Sequence, residues 1–203
     1  MRAKSSKKTL LTGLVVAAIA VVVLQQRPSG PPTPESCKDY REQMRELASN
    51  DSGFAGVIAV TKESVMTQAL QDRYGTLTAE QCSARLPVVK SALEALSHTA
   101  WADKMPQASN DATAAVQQCH DKRVAGELKT HEDSAKCSAP MMTTIFQRIG
   151  YPYMDLVDEF NAKKIEEAQK LDKSTLGGSE DEKPFADLAL KIAEQEAEHL
   201  GKK

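Results

Sequence analysis

The chain has 203 residues, of which 41% are hydrophobic, 27% charged and only 4% aromatic. This amount of apolar side chain supports one folded domain with a flanking segment and excludes wholesale disorder. Because the core must be built mainly from aliphatic residues and alanine, the composition favours helices over a β-sandwich or a β-barrel.

Charge is distributed unevenly along the chain. Residues 1–30 contain five basic residues and no acidic residue, whereas residues 31–203 contain 21 basic and 28 acidic residues. The larger part therefore carries a net charge of −7, which argues against nucleic-acid binding because a phosphate backbone would be repelled. The same sign argues against broad adhesion to an anionic membrane surface.

The first 27 residues predict a signal anchor. A basic tip, residues 1–8, precedes residues 10–24, which are apolar at all but two positions. This run is shorter than the roughly 20 residues that usually span a bilayer, but Thr9, Gln25 and Gln26 can extend it. Because most of the basic residues precede the run, we expect the N-terminus in the cytoplasm. The rest of the chain would lie beyond the inner (plasma) membrane, which is the periplasm in a bacterium.

Cleavage of the same segment as a secretory signal peptide, which would release a secreted form, is the alternative. The triplet Ala18-Ile19-Ala20 has the small residues of a cleavage site, but four apolar residues follow it where a polar region is usual. Residues 28–34 contain four prolines and predict an extended linker. Residues 35–203 would then form the exported domain.

The four cysteines predict two disulfides, since an even number in an exported chain favours pairing. Four cysteines allow three pairings, and Cys37–Cys82 with Cys119–Cys137 has the shortest loops in sum. We therefore expect a domain stapled by these two pairs, with four buried free thiols as the alternative.

Apolar residues at spacings of three and four predict helices along the domain. Thr33 and Pro34 predict the start of the first helix. Its apolar face contains Cys37, Tyr40, Met44 and Leu47. Residues 53–61 fit either a short strand or the start of a helix that runs to Tyr74.

The next helix is predicted to open with a capping box formed by Thr78 and Gln81, and Pro87 predicts a kink inside it. A break is expected at residues 105–110, followed by a helix over residues 111–128. One face of that helix contains Ala112, Ala115, Val116 and Cys119.

Ser138 and Pro140 predict the start of a helix that ends at Gly150, and a helix rich in lysine and glutamate follows from about Tyr151. Residues 179–182 fit a second capping box, which would open a final amphipathic helix. Helices of about 10–20 residues joined by short capped links predict an antiparallel helical bundle.

The segment from Cys119 to Cys137 is the richest in metal-ligand residues. Its two thiols and two imidazoles belong to Cys119, His120, His131 and Cys137. Their spacing matches none of the usual structural zinc motifs, and a disulfide would remove both thiolates. We therefore expect no metal and no cofactor. The alternative is that a metal or cofactor binds at this segment.

Residues 151–154 form the most compact aromatic cluster. Exposed, Tyr151, Tyr153 and Met154 would make a partner-binding corner, because tyrosine is enriched at the centres of protein interfaces. The alternative is a helix entry that packs on the bundle.

The sequence contains no nucleophile elbow, no phosphate-binding loop and no identifiable acid/base pair, so we expect no enzymatic activity. We expect a membrane-anchored extracytoplasmic accessory or scaffold subunit that docks on a membrane protein complex through its helical faces. The alternative is an extracytoplasmic helical protein that binds a metal or cofactor through the Cys119–Cys137 segment.

Overall fold

The computed structural model describes residues 34–58, 62–174, 179 and 181–202, and every regular element in these ranges is helical. The helices are α1 (Glu35–Ser49), α2 (Phe54–Ile58), α3 (Glu63–Tyr74), α4 (Ala79–Leu96), α5 (Met105–Val124), α6 (His131–Ile149), α7 (Met154–Lys173) and α8 (Lys183–Leu200). A 3₁₀ turn at Ala102–Lys104 precedes α5. The prediction of a mainly helical protein is confirmed.

The predicted signal anchor lies outside the described residues, as does the predicted linker except for its last residue, Pro34. Within the described ranges, no helix has both the length and the apolar character needed to cross a membrane.

The last helix, α8, is the central element of the first group of helices. It contacts α1, α2, α3 and α4, and it also touches α7. Its buried residues are Phe185, Ala186, Leu188, Ala189, Leu190, Ile192, Ala193, Glu196, Ala197 and Leu200. These positions cover more than one stripe of the helix, as expected for a helix with neighbours on several sides. The alanines recur at spacings of three and four, and their small side chains allow close packing of the helices around α8.

The second group of helices is a layer formed by α5, α6 and α7. The middle helix, α6, packs against α5 on one side and α7 on the other, while α5 and α7 make little or no direct contact. Neighbours run antiparallel, since Cys119 of α5 bonds Cys137 of α6 and the start of α6, at His131, meets Asp172 near the end of α7. A groove therefore remains on α6 between its two neighbours.

Each disulfide joins two helices within one group. Cys37 of α1 is bonded to Cys82 of α4, and Cys119 of α5 is bonded to Cys137 of α6. These are the two pairs predicted from loop length. All four thiols are thus used, and the alternative of free thiols is not observed.

Several local predictions agree with the structure. Thr78 and Gln81 form the predicted capping box, and Gly150 ends α6 in the left-handed conformation at φ 76°. The predicted apolar face of α1 is buried. Residues 54–58, which fitted either a strand or a helix, form the short helix α2. The first helix starts one residue late, with Pro34 at the N-cap.

Two helix starts were predicted too late because Pro106 was read as part of a break and Pro140 as the start of a helix. The α5 helix begins at Met105, and Pro106 lies in its first turn, where the missing N–H costs no hydrogen bond. The α6 helix begins at His131, because Thr130 and Asp133 form a capping box that the sequence analysis missed.

The second capping box, predicted at residues 179–182, is wrong. The α8 helix has Glu182 at its N-cap without a side-chain cap, and Pro184 lies in its first turn. Asp181 instead accepts a hydrogen bond of 3.0 Å from the backbone N–H of Lys183.

The loop lengths of the two disulfides predict which of them contributes more to the free energy of unfolding. The pairs are separated by 45 and 18 residues, and loop-closure entropy gives about 4 kcal/mol for Cys37–Cys82 and about 3 kcal/mol for Cys119–Cys137. Urea unfolding of the two Cys→Ser double variants, followed by circular dichroism, measures both losses. An equal or larger loss for the second pair would contradict the loop-length explanation.

Candidate docking groove

The candidate site is the groove on α6 between α5 and α7. Its floor consists of Ser134, Ala135, Ser138 and Met142 of α6. Positions 134, 138 and 142 recur every four residues and therefore lie on one helical face. Because most of these side chains are small, they leave a cavity of about 210 Å³ above the helix.

The two walls present a similar mixture of apolar and basic side chains. Val116, His120 and Arg123 line the groove from α5. The side chains from α7 are Phe160, Asn161, Lys164, Ala168 and Leu171. Spacings of three and four put each set on one face of its helix.

Polar contacts fix the distance between the walls. The amide of Asn161 donates to the carbonyl of Ala139 and to Oγ1 of Thr143, both at 3.2 Å, and so ties α7 to α6. At the other end, Asp172 accepts hydrogen bonds of 2.9 Å from the backbone N–H groups of His131 and Glu132. The Cys119–Cys137 disulfide ties α5 to α6, so each wall is fastened to the floor.

A second cavity of about 290 Å³ continues the groove towards α2 and α8. The two cavities share Val116, Met142, Phe160 and Lys164. The second adds Val57, Ile58, Ala112, Thr113, Glu182 and Phe185. Because these four residues line both cavities, the two cavities form one groove. The middle of this groove is mainly apolar.

Charged side chains line both ends of the groove, and most of them are paired within the protein. At the first end, Nη2 of Arg123 lies 3.3 Å from Nδ1 of His120, and among the described residues no carboxylate forms an ion pair with Arg123. His131 at the same end is paired with Asp172 at 2.7 Å. The carboxyl group at the second end is Glu182, whose pKa is held below its ordinary value by the backbone N–H and the ammonium of Lys62.

Val116 is the most unusual side chain of the groove. Among the described residues, the large hydrophobic side chains with high exposure are Val116, at 41%, and Val124, at 72%. Ala112, Ala115 and Cys119, predicted on the same face as Val116, are buried. Val116 therefore lies at the edge of that face, where it points into the groove rather than into the core.

The four residues of the alternative metal site, Cys119, His120, His131 and Cys137, do not form a set of ligands. Cys119 and Cys137 are joined by a disulfide, so neither sulfur is a thiolate that can bind a metal. His120 and His131 line the same cavity. There His120 lies beside Arg123 and His131 is paired with Asp172, so they do not form a set of metal ligands. Within the described part of the chain, no group of three or more His, Cys, Asp or Glu side chains is placed to hold a metal ion.

The predicted partner-binding corner is wrong for Tyr151, which is only 3% exposed. Its ring packs against Phe54 and Trp101, with centroids 5.2 and 5.1 Å away. Tyr153 and Met154 are half-buried and pack against the core. With so few aromatic residues in the chain, this cluster is used to fill the interior.

Tyr151 also leads to a buried carboxyl group that the sequence analysis missed. Its hydroxyl donates to Oε1 of Glu196 at 3.2 Å, and the backbone N–H of Phe54 donates to the same oxygen at 3.4 Å. Oε2 of Glu196 has no hydrogen-bond partner among the described residues. Burial raises the pKa of Glu196 to about 7.

The position of Glu196 in α8 was a usable signal. It lies four residues from both Ile192 and Leu200, in the middle of the apolar face. Gly53 makes room for it, because a Cβ at that position would come within 2.9 Å of Oε2. The groove had a similar signal, since Val116, His120 and Arg123 follow one another at spacings of four and three.

Comparison with family models, with curated proteins and with solved structures finds no match to this chain. The functional argument therefore rests on the geometry and chemistry of the groove.

The buried carboxyl predicts a pH dependence of stability. Because the pKa of Glu196 is about 7 in the folded protein and 4.5 ordinarily, the folded protein retains a proton that the unfolded chain loses between these values. Its contribution to the free energy of unfolding thus falls by about 3 kcal/mol as pH rises through this window, and it levels off above pH 7. In the Glu196→Gln variant the residue stays neutral, so this fall disappears.

Urea unfolding at intervals between pH 4 and pH 8 measures this difference. Glu198→Gln is the matched control, because Glu198 is an exposed glutamate in the same helix. The control is expected to retain the wild-type profile. A Glu196→Gln profile parallel to that of the wild type would contradict the assignment.

Proposed function

We propose that this protein is a membrane-anchored extracytoplasmic accessory subunit that docks a segment of a membrane protein complex in the groove between α5 and α7. The observation that carries the proposal is the exposed Val116 inside a groove with an apolar middle. A groove with an apolar middle and polar residues along its rim is typical of an interaction site.

The sequence supports the membrane-anchored part of the proposal. A basic tip, an apolar run and a proline-rich linker precede the domain, an arrangement that would tether it to the outer side of the inner membrane. The two disulfides agree with export, because such bonds persist in oxidising compartments.

The groove chemistry favours binding over catalysis. A serine nucleophile needs a base within hydrogen-bond reach, but Oγ of Ser138 donates to the carbonyl of Ala135 at 3.1 Å. His131 is engaged by Asp172, and His120 lies beside Arg123. These pairings form a charged edge next to an apolar surface, which is the usual make-up of a protein-binding patch.

A substitution in the groove tests the docking function. The Val116→Asp variant puts a carboxylate where the partner would bury apolar surface, and its recovery in the native complex should fall about tenfold or more. The measurement is mild-detergent co-purification of the tagged full-length protein from its native membranes, with mass spectrometry of the stoichiometric partners.

Val124→Asp is the matched control, because Val124 is an exposed valine of the same helix that does not line the groove. It should bring down the complex at the wild-type level. Both variants should unfold within about 0.5 kcal/mol of the wild type, since both side chains are exposed. Full recovery of the complex by Val116→Asp would overturn the proposal.

A further inference from the structure

We propose that the segment docked in the groove is a three-turn amphipathic helix that carries acidic residues at its C-terminal end. Those residues would meet Arg123 and His120, while the apolar face of the helix covers Val116 and Phe160. This inference rests on the proposed docking function and specifies the chemistry of the docked segment.

The length of the groove sets the length of the helix. The wall from α5 extends from Ala112 to Arg123, and the wall from α7 extends from Phe160 to Leu171. At about 1.5 Å per residue, each wall is roughly 16 Å long. Three turns of an α-helix have the same length, since each turn rises about 5.4 Å.

The shape of the groove favours a helix over a small ligand. The two cavities, of about 210 and 290 Å³, share lining residues, and both are partly open rather than enclosed. Small-molecule sites usually enclose most of the ligand, whereas a docked amphipathic helix presents its polar face to water. Apolar side chains on successive turns would enter the cavities.

The arrangement of α5, α6 and α7 also has room for one more helix. These three helices form an antiparallel layer, and the groove lies above the middle one. A helix laid in the groove antiparallel to α6 would complete a four-helix packing. Its C-terminal end would then lie beside the start of α6, at the basic end of the groove.

Charge specifies the same orientation. Arg123 forms no ion pair with the described carboxylates, so an acidic partner residue would supply the missing opposite charge. The C-terminal end of a helix also carries a partial negative charge. At the other end, Glu182 is already paired with Lys62, so the orientation of the docked helix is set at Arg123.

Two synthetic peptides of 14 residues test this inference. Both carry leucines at positions 4, 7, 8 and 11, and both have blocked termini. One has two lysines in its first turn and two glutamates in its last turn, and the second exchanges these pairs. Binding to the full-length protein in phosphatidylcholine nanodiscs is measured by fluorescence anisotropy, with empty nanodiscs as the blank.

The peptide with C-terminal glutamates is expected to bind at least tenfold more tightly than the exchanged peptide. Arg123→Glu should reverse this preference, and the neighbouring Lys122→Glu should leave it unchanged, because Lys122 does not line the groove. Val116→Asp should weaken both peptides at least tenfold, whereas Val124→Asp should weaken neither.

Equal binding of the two peptides, or a preference that survives Arg123→Glu, would overturn the inference. Displacement of the peptide by dodecanoate at equal or lower concentration would assign the groove to a lipid-like carboxylate instead. Self-association abolished by Val116→Asp would assign it to a second copy of the chain. If the native complex is lost in Val116→Asp while the peptides bind equally, the docking function stands and only the helix chemistry fails.

Discussion

The burial of α8 is the constraint on which the helical domain depends. Because four other helices of its group contact it, this helix must present apolar or small side chains in several directions. Its alanines meet that demand at close-packed positions, and its leucines fill the space between helices. Glu196 is the exception, and its carboxyl group is retained in the core by one hydroxyl, one backbone N–H and the space beside Gly53.

The same constraint explains why the groove lies in the other group of helices. Phe185 and Glu182, at the start of α8, reach only one end of the α5–α6–α7 layer. No described helix covers the rest of that face of α6, so Ser134 and Ala135 on its floor remain partly exposed. This arrangement explains why Val116 is exposed. Val116 belongs to the apolar side of α5, but no described helix covers it in the way that α8 covers the apolar sides of its neighbours.

Much of the fold could be predicted from local signals, because helix periodicity and disulfide loop lengths are properties of short stretches of sequence. The apolar face of α1, the capping box at Thr78 and the end of α6 at Gly150 were all predicted in this way. The errors at α5 and α6 have a local cause too, since proline is acceptable in a first turn and Pro140 is accommodated within a helix. The groove is different, because its walls come from residues some 40 positions apart that only the packing of three helices brings together. Tyr151 was misassigned for the same reason: only tertiary packing shows that an aromatic cluster faces inward.

Rigidity would favour the groove in its proposed role as a docking surface. A flexible site loses conformational entropy when it binds, and that loss reduces affinity. Here the α5 wall is bonded covalently to the floor through Cys119–Cys137, and the α7 wall is tied to it by Asn161 at one level and by Asp172 at another. Because Asp172 binds both the backbone and the imidazole of His131, the contact that fixes the wall also holds a member of the basic end in place. A partner helix would thus meet a surface whose shape and charge are already set, and most of the ordering cost would fall on the partner.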